Sequence, residues 1–450
     1  MHRNSDNVST KQERIAKLAK QSPQMSLTSL AHHMDLQWLL EAYHRTRKNG
    51  ATGVDGQTWQ EYGENLQSNL QSLLNRAKSG LYRAPPVRRV HIPKAGSTTQ
   101  TRPIGIPTLE DKVLQRAVVM LMEPIYEQDF VDGSYGFRPG RGAHQALEKL
   151  WKETMSTHGG WILEVDISKF FDTLDHAHLR EFVQHRVKDG VLLRLIGKWL
   201  NAGVMEAGQL SYPESGSPQG GVISPLLANV YLHYVLDMWF EQEVKPRLAG
   251  RAYLIRYADD FVIGFTDQKD AHRVKEVLPK RFGKYGLKLH PKKTRLVRFN
   301  KPKDGEDSSG KTEQRSEKPE SFDLLGFTHY WGRSRKGDWV VKRKTSGSRL
   351  SRGLKAIQQW CKSHRHDPLS EQQQTLSQKI RGHCAYYGIT GNSRCLSAFH
   401  LWVTKCWRYW LSRRNRERGM TWDRFNQLLE RYPLATAVAT HSKLRLKANP

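Results

Sequence analysis

The chain lacks any apolar run long enough to cross a bilayer, which takes roughly 18 uninterrupted residues. Its nearest approach, Gly221 to Phe240, is broken by Pro225, Asn229, His233 and Asp237, so a membrane partner is not expected. The first residues are polar and hold no apolar core of a signal peptide, which argues against secretion. Cysteine is scarce: Cys361, Cys384, Cys395 and Cys406 are the only four, and no Cys-x-x-Cys pair occurs. Buried thiols in a reducing compartment are therefore expected, rather than disulfides or zinc. Acidic residues are few beside basic ones, 44 against 72 in 450 residues, leaving a net charge of +28. Such an excess points to a polyanion, and without a membrane span nucleic acid is favoured over membrane. Hydrophobic content is only 38%. Trp, Tyr and Phe are nevertheless plentiful, so a sizeable core and two or three domains are expected.

Against this basic background two adjacent acids stand out in Tyr253-Leu-Ile-Arg-Tyr-Ala-Asp-Asp-Phe-Val-Ile-Gly-Phe265. Asp is depleted in strands, and neighbouring carboxylates repel, so Asp259 and Asp260 at a hairpin bend are costly unless a cation neutralises them. Hard oxygen ligands of this kind suit Mg²⁺. An exposed turn is the simpler alternative, since Asp is a common turn former. The apolar flanks argue against it, as does a second carboxylate, Asp166, delivered at the end of the strand-like run Trp161-Ile-Leu-Glu-Val-Asp166.

Other stretches set the frame. Met1 to Lys48 reads as basic and helical, and Asn49 to Gly56 as a glycine-punctuated turn without the elements of a Walker loop or a dinucleotide fingerprint. Glu61 to Ser79 is expected as one amphipathic helix stopped by Gly80, and Leu109 to Glu127 as another. Between them, Val87–Lys94 and Thr101–Pro107 read as two basic strands. Phe130 to Gly142 contains four glycines with Arg138 and Arg141, which suit close approach to a phosphate backbone. Gly216-Ser-Pro-Gln-Gly-Gly-Val-Ile-Ser-Pro225 enters a helical run to Phe240, and Asp270 to Tyr285 is a further helix. Gly286 to Phe299 reads as strand, turn and strand, while 300–321 is charged and nearly free of apolar residues, as in a flexible insertion. From Val341 onward 22 Lys and Arg stand against 5 Asp and Glu. Helices are expected there at about 348–364, 370–387, 395–416 and 421–430. Trp402, Trp407, Tyr409 and Trp410 are either core or base-stacking residues, with core favoured.

Asp166, Pro218-Gln-Gly220 and Tyr257-Ala-Asp-Asp260, in this order, resemble the motifs of reverse transcriptases. Tyr135-Gly-Phe-Arg-Pro-Gly-Arg-Gly142, the hairpin Phe322–Trp331 and Arg381-Gly-His-Cys-Ala-Tyr-Tyr-Gly388 extend the likeness to group II intron-encoded reverse transcriptase/maturases, from about Thr52 to the C-terminus. The resemblance implies an α/β (α+β) right-hand polymerase. Its parts would be a basic helical extension at 1–50, fingers at 51–160, a palm at 161–335 built on an antiparallel sheet flanked by helices, and an all-helical thumb or maturase domain at 340–450. It implies two Mg²⁺ ions held by Asp166, Asp259, Asp260 and the backbone carbonyl of Ile167. Lys94 and Arg102 would neutralise the triphosphate, the alternative being a general attraction for the RNA backbone, and Gln219 would contact the nucleotide. Lys293, or its neighbour Lys292, would assist pyrophosphate. Arg138 and Arg141 would touch the template, and Gly326 would lie in a primer-grip turn. Phe171, five residues after Asp166, would exclude a 2′-hydroxyl, although Asp172 lies near the place where RNA polymerases bind one. Expected partners are an RNA template and intron RNA, a DNA primer or target and deoxynucleoside triphosphates, in a bacterial, nucleoid-associated cytoplasmic protein. The likeness also leads one to expect no His-Asn-His nuclease domain. Two alternatives are a maturase that binds RNA without catalysis and a relative serving in defence or repair.

Overall fold

The computed structural model describes residues 2–93, 101–206, 208–212, 220–302, 320–414 and 419–441. Its Cα framework divides into two units, Met1–Leu296 and Val297–Pro450.

In the first unit the Leu109–Asp129 helix is the centre of the core. Val113, Leu114, Ala117, Val118 and Leu121 are all fully buried on it, each Val and Leu stabilising the fold by about 1.5–3 kcal/mol. The His2–Gln21 and Leu36–His44 helices pack against it. Trp38 Nε1 fixes the second of these by donating to the Ala117 carbonyl at 2.9 Å. The single helix expected over 61–79 is two, Trp59–Glu64 and Leu66–Ser79. Thr58 and Glu61 form a capping box that starts the first early, and Asn65, at φ −119° and ψ 37°, breaks the run. Gly80, at φ +87°, ends the second as expected.

β1 (Val87–Pro93) and β2 (Thr101–Ile106) form an antiparallel hairpin, with Arg88 opposite Ile106 and Pro93 opposite Thr101. β3 (Trp161–Ser168) belongs to another sheet. β4 (Val204–Glu206) pairs parallel with β1, and β5 (Gln209–Ser211) pairs with β4, giving the order β2-β1-β4-β5. β6 (Ala252–Tyr257), β7 (Asp260–Phe265) and β8 (Lys288–Leu289) complete the path β6-β7-β3-β8, and β9 (Arg295–Arg298) also pairs with β3. Strands β3, β6 and β7 carry nearly continuous buried runs because helices cover the sheet; the Gln268–Lys284 helix packs on β3, β7 and β8.

The helical run expected up to Phe240 is α-helical only over Ser224–Leu232. It widens into π-helical turns at His233–Asp237 and Trp239–Val244, where the Met238 amide bonds to the His233 carbonyl and the Lys245 amide to that of Phe240. Such widening recurs at functional positions.

The second unit begins with the meander β10 (Phe322–Leu324), β11 (Phe327–Arg333) and β12 (Trp339–Thr345). Leu325 and Gly326, at φ +51° and +79°, make the first turn. β12 was not expected, because Lys342-Arg-Lys344 hides its alternation. Helices follow at Gly347–Ser363, Leu369–Tyr387, Ser393–Leu411 and Trp422–Arg431, close to expectation except that the third stops before Arg416. Trp407 is fully buried in their core, while Trp402 and Trp410 pack on its margin and Tyr409 is exposed. All four cysteines are free thiols and three are buried. Most of the charged stretch at 300–321 lies outside the described residues.

Candidate active site

The β6–β7 hairpin closes on Tyr257 opposite Asp260, leaving Ala258 and Asp259 as its turn. Ala258 sits at φ +57°, a left-handed conformation unfavourable for a residue with a Cβ. Its neighbours hold it there. Arg256, fully buried, donates to both carboxylate oxygens of Asp237 at 2.8 and 2.5 Å, to Asn229 Oδ1 at 2.9 Å and to the Ala258 carbonyl at 3.0 Å. The Asn229 amide donates onward to the Gly136 carbonyl at 2.7 Å. The glycine-rich stretch lies against the hairpin, with the Tyr135 amide on the Arg256 carbonyl and the Arg256 amide on that of Gly133. A Cβ at Gly136 would come within 2.2 Å of the Ala258 nitrogen, so only glycine fits this approach.

This corrects the reading of that stretch. The Arg138 side chain is buried, paired with Glu127 at 2.9 Å and bonded to the carbonyls of Val131 and Ser134, so it braces the loop and has no donor face to offer a template. Arg141 is partly exposed and is held by Asp132 at 3.1 Å.

Asp166, two residues before the end of β3, stands directly opposite Asp260 of β7. Opposed residues of an antiparallel pair share one face of a sheet. Asp166 and Asp259 both line an open groove of about 1340 Å³, together with Ile167, Phe171, Asp172, Arg102 and Lys293. Asp260 is exposed and is not among the residues lining the groove. Partial burial raises the pKa of Asp259; the negative charge of Asp166 raises it further, and the guanidinium of Arg102 opposes both. Lys293 Nζ lies 3.1 Å from Asp166 Oδ2. The His290 amide bonds to the Asp166 carbonyl at 2.7 Å, which ties the turn carrying Lys293 to the strand carrying Asp166.

Phe170 is buried, and Phe171, half-buried, meets it edge to face at 5.3 Å. Gly220, at φ +115°, presses on β2: a Cβ there would reach within 2.4 Å of the Gly105 carbonyl oxygen. The buried Gln115 side chain accepts from the amides of Val222 and Ile223 at 2.8 and 3.3 Å, fixing the entrance of the Ser224–Leu232 helix. Lys94 and Gln219 lie outside the described residues. Gly326 is in the second unit, where an added Cβ would come within 3.1 Å of the Tyr387 hydroxyl.

Sequence reasoning missed Gln115 and the Asn229–Asp237–Arg256 network. Asn229 and Asp237 had been visible only as interruptions of an apolar run, the signal that should have marked them as buried partners. Among the described residues no three His, Cys, Asp or Glu side chains gather into a metal-binding cluster. Three carboxylates, Asp166, Asp172 and Asp259, line the groove without gathering into such a cluster. Among the described residues no helix is long and apolar enough to cross a membrane.

A strand bearing a carboxylate near its end, beside a hairpin whose turn carries another, both opening on a groove with cationic side chains, is an arrangement consistent with an α/β polymerase fold. Residues 92–329 match the family model of the reverse transcriptase (RNA-dependent DNA polymerase), and 350–428 match the group II intron, maturase-specific domain. The chain belongs to the group II intron reverse transcriptase/maturase family. It is 35% identical over 330 residues to Protein YkfC of Escherichia coli, covering 65% of this chain and 85% of that protein. It is 36% identical over 248 residues to the group II intron-encoded protein LtrA of Lactococcus lactis, covering 52% of this chain and 40% of LtrA. Over a shorter span of 92 residues it is 33% identical to nuclear intron maturase 1, mitochondrial, of Arabidopsis thaliana, covering 20% of this chain and 12% of that protein.

Proposed function

We infer that the protein is an RNA-directed DNA polymerase that extends a DNA primer on an RNA template, and that it binds intron RNA to assist splicing and mobility. The observation that carries this reading is the meeting of Asp166 and Asp259 in one open groove with Arg102 and Lys293. Residues 51–160 then act as fingers, 161–335 as palm and 340–450 as thumb.

The donor set fits Mg²⁺, which is commonly held by one or two carboxylates with the remaining positions left to water and substrate phosphates. Asp166 and Asp259 would hold the ions, with the Ile167 carbonyl as a further oxygen donor and Asp260, opposite Asp166 on β7, adding negative charge close by. Two bound Mg²⁺ ions would lower the pKa of the primer hydroxyl and neutralise charge on the leaving oxygen. Arg102 attracts the triphosphate electrostatically. Lys293, already paired with Asp166, is a cation available to the departing pyrophosphate. The ring of Phe171 narrows the groove against a ribose 2′-hydroxyl. No side-chain nucleophile is needed: the primer oxygen bonds to the α-phosphorus as the bond to pyrophosphate breaks.

Primer extension on a poly(rA) template with an oligo(dT) primer tests the reading. Asp259→Asn should abolish extension while leaving RNA affinity intact, and retained extension would refute it. The match to a maturase-specific domain at 350–428 also supports RNA binding independent of catalysis. Splicing assistance that survives Asp259→Asn would separate the two activities.

A further inference from the structure

A second groove of about 690 Å³ in the first unit shares no lining residue with the first. The sheet order β2-β1-β4-β5 separates them: β2 lines the first groove, and Gly203 and Tyr212, which flank β4 and β5, line the second. Three strand spacings amount to roughly 14 Å.

The chemistry of this groove is one-sided. Arg83, Arg180, Arg194 and Lys198 line it, and among its described lining residues there is no Asp or Glu. Lys198 is used internally, donating to the carbonyls of Gly80 and Tyr82, and Arg194 makes one long bond of 3.4 Å to the Lys78 carbonyl. The Arg83 and Arg180 side chains are exposed and make no hydrogen bond or ion pair with the described residues. Unpaired guanidiniums are planar double donors suited to phosphate oxygens. Beside them Tyr212 is 69% exposed, an aromatic face turned to solvent where burial would otherwise be favoured.

We propose that this groove binds a single-stranded RNA segment, with Arg83, Arg180 and Arg194 on its phosphates and Tyr212 stacked on a base, while the first groove holds primer and template. Phosphate donors beside a stacking platform are the combination that single strands require. An acidic protein would use the charges but not the exposed ring. The proposal rests on the RNA-binding part of the function inferred above and deepens it, giving the protein a second point of hold on a long RNA.

The test uses the full chain preloaded with a primer–template duplex. A fluorescent 20-nucleotide oligo(U) RNA is then titrated against it. Wild type should bind the oligo(U), and Arg83→Ala/Arg180→Ala should weaken that binding about tenfold and lower the salt slope by about 1.4, the share of two phosphate contacts on a single strand. Tyr212→Ala should weaken it about fivefold or more. Extension of the preloaded primer and the melting temperature should stay at wild-type values. Failure of loaded wild type to bind oligo(U), affinity unchanged by the variants, or parallel loss of extension would each overturn the proposal. Arginine-dependent oligo(U) binding by a protein that extends no primer would uphold this groove and refute the polymerase reading alone.

Discussion

Lys293 reaches across from the turn after β8 to hold the carboxylate of Asp166 at 3.1 Å, whereas Lys292, its neighbour, is not among the residues lining the groove. The two lysines are alike in sequence, and only the turn geometry distinguishes them. Lys293→Ala should lower kcat for primer extension by about 10²-fold or more, the scale of a lost transition-state donor, and Lys292→Ala should leave it near wild type. Single-turnover incorporation measures both; equal loss in the two variants would remove the distinction.

Arg256 and Asp237 form an ion pair with both side chains fully buried. Removing one partner of such a pair typically costs 3–5 kcal/mol, because the other charge is left without compensation. Asp237→Ala should therefore destabilise the first unit by about that amount in urea unfolding. Asp237→Leu combined with Arg256→Met should recover part of the stability but not the extension activity, because the Ala258 carbonyl and Asn229 lose their donor. Full activity in the double variant would show that the turn is held by other means.

Asp111 is buried, accepting from Trp199 Nε1 at 2.8 Å and from the Tyr82 hydroxyl, and its pKa is raised from 3.8 to about 6, chiefly by burial. A raised carboxylate pKa means that the folded state binds the proton more tightly than the unfolded one. Stability should then fall as pH rises from about 4 through about 6, with the penalty fully present above that window. Two units correspond to roughly 3 kcal/mol. Asp111→Asn, which keeps an acceptor, should be the more stable protein at pH 7.5, with that advantage gone by pH 4. Urea midpoints at the two pH values read this directly; an advantage independent of pH would contradict it.

Phe171 is the aromatic ring of the groove nearest in sequence to Asp166 apart from the buried Phe170. Phe171→Ala should raise ribonucleotide incorporation relative to deoxyribonucleotide, read as the ratio of kcat/KM for the two sugars. An unchanged ratio would take the sugar gate away from this residue.

The carboxylates were legible in the sequence because Asp166, Asp259 and Asp260 each interrupt or end an apolar strand pattern; the hairpin lies where that pattern placed it, and β3 runs two residues past Asp166 to Ser168. The hairpin β1–β2 was legible from its own strand-like alternation. Arg138 misled because an arginine among glycines offers a donor to nucleic acid and to its own loop alike; only the position of Glu127 decides between them. Asn65 breaks a helix that periodicity alone would continue, and Lys342-Arg-Lys344 conceals a strand. Asp237 and Asn229 show locally only as interruptions of an apolar run; that their partner is Arg256 is a long-range fact that no local pattern encodes.

The π-helical turns after Leu232 give the chain more residues per turn than an ordinary helix, and Asp237 meets Arg256 within that widened stretch. Deleting one residue between Asn229 and Asp237 to regularise the coil would swing everything downstream by about 100°. The carboxylate would then leave its guanidinium, and the bend bearing Asp259 would lose its anchor. What looks like a defect in that coil is thus a spacer, and engineering for rigidity should leave its length alone.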